Sequence, residues 1–178
     1  MSFTIQSLHN ACTAQTRVDS PLGTLLLART ATGLAGVWFE GQKHHPGELA
    51  AAHQPDDPLL KRASAQLQRY FAAEASAFDL PLDLHGTVFQ RAVWSALLRI
   101  PSGATRSYAD IAREIGSPQA VRAVGAAVGR NPVSVIVPCH RVVGIDGAMT
   151  GYAGGIERKQ ALLALEQTLS RQPRVRIA

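Results

Sequence analysis

The stretch SYADIAREIGSPQAVRAVGAAVG, Ser107 to Gly129, reads as two short helices with almost nothing between them. Ser107-Tyr108-Ala109-Asp110 has the form of a capping box, Ile111, Ala112 and Ile115 point inward from the helix it opens, and Gly116 stops that helix. Ser117 is then expected to cap a second helix with Pro118 at its first position, where a missing N–H costs nothing, and Val121, Val124, Gly125 and Val128 repeat at i, i+3, i+4 and i+7 until Gly129. These are the proportions of a helix-turn-helix, shared with plain helical hairpins. Arg122 falls off the valine stripe among Ala120, Ala123, Ala126 and Ala127, so it points outward. Its spacing fits an ordinary surface arginine, and equally a helix whose small residues let it approach a groove that one long cation enters.

Upstream of this pair, Thr87-Val88-Phe89-Gln90 is another capping box, opening a helix to about Arg99 that buries Phe89, Val93, Trp94, Leu97 and Ile100. Pro81 to Gly86 reads as a linker before it. Further back, Thr16 to Ser20, Gly23 to Thr30 and Gly33 to Phe39 read as strands of a small antiparallel sheet. Asp57 to Ala75 follows as a helix, with Leu59, Leu60, Ala63, Leu67, Tyr70 and Phe71 at helical spacing. The expected fold is therefore α+β: a small N-terminal antiparallel sheet with a helix over residues 1–85, then a mainly helical domain over residues 86–178 containing the helix-turn-helix. Nothing before residue 85 looks chemically committed. His44-His45 has no cysteine or carboxylate at ligand spacing, which leaves it as a solvated loop and not a metal site.

Charge divides along the same line. Residues 1–85 hold six Lys/Arg and eight Asp/Glu, a balance of −2; residues 86–178 hold twelve and five, a balance of +7. A basic half fits a polyanionic partner, because phosphate contacts supply most sequence-independent DNA affinity, although arginines also simply solubilise a surface. No apolar run is long enough for a membrane helix and the N-terminus lacks the layout of a signal peptide, so a cytoplasmic protein is expected. There the two cysteines, Cys12 and Cys139, would remain thiols.

Cys139 lies in the segment Val133-Ser134-Val135-Ile136-Val137-Pro138-Cys139-His140-Arg141. The apolar run reads as a strand that delivers the chain to a turn fixed by Pro138. The glycine-rich stretch Gly144 to Gly155 suits a loop folded round a pocket. A buried cysteine is commonly an inert small hydrophobe; here His140 can act as a base, and Arg141 adds positive field that favours thiolate. A lone Cys-His pair cannot make a four-ligand zinc site. A cysteine hydrolase would need an oxyanion hole and a water route, and a damage-binding module would leave the thiol structural. Alkyl transfer to a soft sulfur asks only for a placed nucleophile, proton supply to the leaving group and exclusion of water.

Asn131 to Val143 with Gly151-Tyr152-Ala153-Gly154-Gly155 resembles the active-site signature of the O6-alkylguanine-DNA alkyltransferases. The likeness extends through Gly103 to Tyr108, Arg122 to Gly125 and Leu162 to Glu166. It implies repair of double-stranded DNA by direct reversal: the alkyl group of O6-alkylguanine, and of O4-alkylthymine, passes once to Cys139 with no cofactor and no metal. It further implies that His140 deprotonates Cys139 through a water, that Glu166 orients His140, and that Asn131 braces the helix-turn-helix against the cysteine loop. Arg122 would fill the place of a flipped-out guanine and Tyr108 would rotate the nucleotide and donate at N3, with Ser107 and Ala123 beside them on the DNA face. Val142, Tyr152, Ala153 and Arg141 would line the base pocket. Some members have serine where this chain has Ala153, which removes one polar contact and leaves room for alkyl groups larger than methyl. The chain resembles the short bacterial stand-alone type and is expected to be a monomer when free.

Overall fold

The computed structural model describes residues 5–171. The basic stretch Arg171 to Arg176 runs, past Arg171 itself, outside the described residues.

β1 (Ala14–Val18), β2 (Leu25–Arg29) and β3 (Leu34–Phe39) form the antiparallel part of a sheet, as their alternation and turn residues dictate. The sheet is mixed and not purely antiparallel: β4 (Ala52–His53) pairs parallel with β1, giving the order β3-β2-β1-β4. So short and exposed a strand carries no alternation from which it could be read. A short helix, α1 (Ile5–Ala11), precedes β1 and was also unexpected. The period of two in β2 serves two cores: Leu25 and Leu27 face α2 (Pro58–Phe71), while Leu26 and Ala28 pack with Leu8, Cys12, Ala35, Trp38 and Leu49 on the other face. Asp57 caps α2 by accepting from the Leu59 and Leu60 amides, with Pro58 at the first helical position.

The outer edge of β3 is covered by two segments from later in the chain. Leu34 exchanges backbone hydrogen bonds with Pro81 and Asp83, and Val37 with Pro132 and Ser134. An edge strand's unpaired N–H and C=O groups are thus satisfied by the segment that leads to Cys139, which fixes that segment to the sheet. The larger core runs without a break from Leu25, Leu27 and Leu60 to Val93, Leu97, Val124 and Leu162.

The second half contains α3 (Val88–Leu98), α4 (Tyr108–Glu114), α5 (Val121–Gly129) and α6 (Ile156–Arg171), with a two-residue parallel pairing of β5 (Arg106–Ser107) and β6 (Val142–Val143). Both expected capping boxes are present, at Thr87/Gln90 and Ser107/Asp110. Ser117 does not cap α5. Its amide donates to the Ala112 carbonyl at 2.8 Å and Gly116, at φ +72°, donates to Arg113, which is a Schellman closure of α4. Ser117 and Pro118 then form a turn, and α5 begins only at Val121 with no side-chain cap. The two helices keep their pairing: Val124, Ala127 and Val128 are buried, and Arg122, Ala123 and Ala126 are exposed. The Trp94 indole donates to the Ala127 carbonyl at 2.9 Å and anchors the end of α5 to α3.

Candidate active site and nucleic-acid face

Val133 to Val137 is not a strand. Only Val133 bridges to β3; the chain then turns tightly, with the Val137 amide donating to the Val133 carbonyl and Val135 held at φ +71°. A left-handed β-branched residue is strained, and here the strain lies in the segment that aims Cys139. The apolar run resembled a strand because every one of its residues is buried, and burial gives the same pattern in a coiled segment. Pro138 precedes a single 3-10 turn, Cys139–Arg141, which presents the thiol and the imidazole from adjacent residues.

Asn131 occupies the junction between α5 and this turn. Its carboxamide nitrogen donates to the Val137 carbonyl at 2.8 Å and to Cys139 Sγ at 3.0 Å, and its oxygen accepts from the Val133 amide at 3.0 Å. Burial pushes the Cys139 thiol up, while the Asn131 hydrogen bond, the Lys159 charge and the backbone N–H groups of Cys139 and His140 act the other way. Burial prevails, so at rest sulfur keeps its proton. This differs from the thiolate expected from charge alone, because Arg141 spends its guanidinium elsewhere.

Arg141 binds Glu166. Its Nη2 and Nε donate to the carboxylate at 2.7 and 2.9 Å, and Nη1 donates to the Ile100 carbonyl. Its guanidinium therefore lies behind the cysteine turn and not in a base pocket. Glu166 is fully buried and also accepts from His140 Nε2 at 2.8 Å, the Gly103 amide at 3.2 Å and the Tyr70 hydroxyl at 2.8 Å. Desolvation opposes its charge, but the hydrogen bonds and charges of His140 and Arg141 outweigh it and pull its carboxyl down to about 2. An ionised carboxylate only accepts, so His140 Nε2 carries the hydrogen. Burial, aided by Arg141 and Lys159, holds the ring below its ordinary value against the pull of Glu166, so the ring is neutral and Nδ1 bears a free lone pair. His140 Nδ1 makes no hydrogen bond within the described protein.

On the face of the helix pair, a cavity of about 180 Å³ opens between Tyr108, Gly125 and Val128 on one wall and Tyr152 and Ala153 on the other. Lys43 and His44 close its rim, and the Lys43 amide donates to the Ala153 carbonyl at 2.9 Å. The Tyr108 hydroxyl donates to the Thr150 carbonyl at 2.9 Å, and Ser107 is engaged in its capping box. The wider groove, about 1040 Å³, runs between residues 74–82 and Leu98, Ile100 and Pro101. It reaches Arg141 and Pro138 from behind and touches neither helix of the pair, so the smaller cavity is the one that opens on the helix-pair face. Val142, expected to line a pocket, is fully buried and does not line this cavity; its carbonyl accepts from the Lys159 ammonium.

The structure thus sets an Asn131–Cys139 pair and a His140–Glu166 pair on the same turn and places Arg122, Ala123, Tyr108, Tyr152 and Ala153 on or beside the helix-pair face. Sequence reasoning missed Tyr70, Lys159, Lys43 and His44. Lys159 was detectable: it stands three and seven residues before Leu162 and Glu166, on one face of α6, so two charged residues share a buried stripe. Tyr70 had no such signal, since an aromatic at core spacing reads as core. Among the described residues no group of three His, Cys, Asp or Glu side chains gathers that could hold a metal ion. Nor is any described helix long and apolar enough to cross a membrane.

Fold and site together define a class: a protein that holds a buried thiol, with a neutral histidine next in the chain, beside an arginine-bearing helix-turn-helix. Comparison with known proteins narrows it. Residues 88–168 match the 6-O-methylguanine DNA methyltransferase DNA-binding domain, and residues 14–84 match the ribonuclease-like domain of the same methyltransferase. A methylated-DNA–protein-cysteine methyltransferase of Mycobacterium bovis is 51% identical over 151 residues, covering 85% of this chain and 90% of its own. The protein of that name from Methanosarcina acetivorans is 48% identical over 83% of this chain and 94% of its own. The crystal structure of Mycobacterium tuberculosis OGT in complex with DNA superposes with a TM-score of 0.82 at 47% identity, covering 88% of this chain and 94% of that one. The chain belongs to the O6-alkylguanine-DNA alkyltransferase family.

Proposed function

We propose that the protein repairs DNA by moving the alkyl group of O6-alkylguanine onto Cys139, once per molecule. The observation that carries this reading is the Cys139 sulfur held by the Asn131 amide next to a neutral, Glu166-bound His140.

The helix-turn-helix lies on duplex DNA with Arg122 entering the stack in place of the target guanine, while exposed Ala123 and Ala126 permit close approach. The guanine enters the cavity beside Tyr152 and Ala153, and Tyr108 exchanges its bond to Thr150 for guanine N3. The Cys139 proton passes through a water to His140 Nδ1 as sulfur attacks the alkyl carbon in line. The S–C bond forms, the C–O6 bond breaks, and its electron pair goes to the purine, which Tyr108 stabilises by donating a hydrogen bond at N3 and which takes up a proton from solvent. His140, now charged, is stabilised by Glu166. The thioether has no route back, so O4-alkylthymine would be repaired with the same one-for-one stoichiometry.

Residues 86–178 carry the DNA face and the acceptor, and residues 1–85 support them through β3 and Tyr70. Two free thiols suit the reducing cytoplasm as the site of action. The methyl of Ala153 on the cavity wall leaves space for ethyl and propyl groups. With duplex DNA containing O6-methylguanine in excess, restored guanine should plateau at the amount of protein present and be absent with Cys139→Ala. Product rising beyond the protein concentration, or repair by the alanine variant, would refute the mechanism.

A further inference from the structure

Tyr70 lies near the end of α2, in the half of the chain that holds none of the residues assigned to transfer, yet its hydroxyl meets Glu166 across 96 positions of sequence. It is fully buried. Its ring is fixed edge-on to Phe71, centroids 5.4 Å apart, and tilted against Phe78 at 5.5 Å. Burial and the Glu166 charge hold the phenol proton on oxygen, so Tyr70 can only donate to that carboxylate. It donates to Oε1, the same oxygen that binds His140 Nε2.

That shared oxygen matters because His140 must be neutral to take a proton. The charged groups that act on it are Glu166 and Lys159 from α6 and Arg141 from its own turn, and Tyr70 from α2 reaches it through Glu166. Glu166 draws the imidazole toward protonation, and Arg141 and Lys159 oppose it. A carboxylate oxygen whose charge is divided among several donors pulls less on any one of them.

We propose that Tyr70 is a positioning residue for the transfer, whose hydroxyl withholds part of the Glu166 charge from His140 and so keeps the ring ready to accept the thiol proton. The inference rests on the reading of His140 as the base. It also gives the N-terminal half a part in the chemistry: α2 sets the proton affinity of a residue in the other half.

The test compares Tyr70→Phe, which keeps the ring packing, with wild type. Single-turnover methyl transfer from duplex DNA is followed against pH, and the His140 ring is titrated by nitrogen-15 NMR. The acid limb of the rate profile and the His140 titration should both move upward by about half a pH unit, which is about threefold in rate below the limb, with the plateau kept. A uniform loss at every pH, or superimposable profiles, would overturn the proposal. If Tyr70→Phe does not fold, the wild-type Tyr70 hydroxyl proton resonance decides: it should shift as His140 titrates, and an unresponsive resonance would overturn it. Failure of wild type to transfer methyl at all would instead reject the reading of Cys139.

Discussion

Cys12 and Cys139 are both free, buried thiols, and burial raises both. Cys12 sits where α1 ends, packed with Leu8, Trp38 and Leu49, and is pushed up to about 11, with the Asp83 charge adding to the effect of burial. Cys139 meets an amide donor, a nearby ammonium, two backbone N–H groups and, one residue on, a neutral imidazole. A low resting proton affinity is therefore not what separates them. The difference is what surrounds the sulfur when its proton leaves: an apolar cluster and a carboxylate in one case, donors and a proton acceptor in the other.

The sharpest way to break this comparison is to remove each thiol. Cys139→Ala should abolish methyl transfer while leaving binding to lesion-bearing duplex intact, and Cys12→Ala should leave transfer at the wild-type rate; a loss of transfer in the Cys12 variant would collapse the distinction. Removing a donor comes next. Asn131→Ala deprives the developing thiolate of a hydrogen bond worth about 1.5–3 kcal/mol, so the single-turnover rate should fall by about tenfold or more. The same variant leaves the buried Val133 amide without its Asn131 acceptor, and chemical denaturation should show a loss of about 1–3 kcal/mol.

Acid should also weaken the second region more than the first. Glu166 is held at about 2 in the folded chain against an ordinary 4.5, so its contribution to stability is complete above pH 4.5 and is lost as pH falls through about 2. Thermal unfolding measured between those limits should show a falling midpoint that Glu166→Gln flattens; an identical slope in that variant would contradict the assignment. The smallest effect belongs to Cys12→Ala in stability, about 1 kcal/mol from the lost packing of a small core residue.

How far these regions were legible in sequence follows from what sequence periodicity can carry. The helix pair, both capping boxes and the outward Arg122 were readable because helix signals are local. The cysteine turn was half readable: Pro138 and the glycine loop marked it, but a fully buried coil and a buried strand share the same apolar run. Ser117 misled because Ser-Pro can begin either a helix or a turn, and the Schellman bonds of α4 claimed its amide first. Lys159 left a trace on the stripe of α6. Tyr70 left none, since the partner that gives it meaning lies 96 residues away and nothing local distinguishes a phenol that packs from one that donates.

The central claim is that Cys139 is a consumed acceptor. Incubation with excess duplex bearing O6-methylguanine, followed by proteolysis and peptide mass measurement, tests it directly. The account predicts one added methyl on the peptide that contains Cys139, approaching complete conversion, with the Cys12 peptide unmodified. An unmodified Cys139 peptide after the DNA has been repaired, or a methyl found on Cys12, would contradict it.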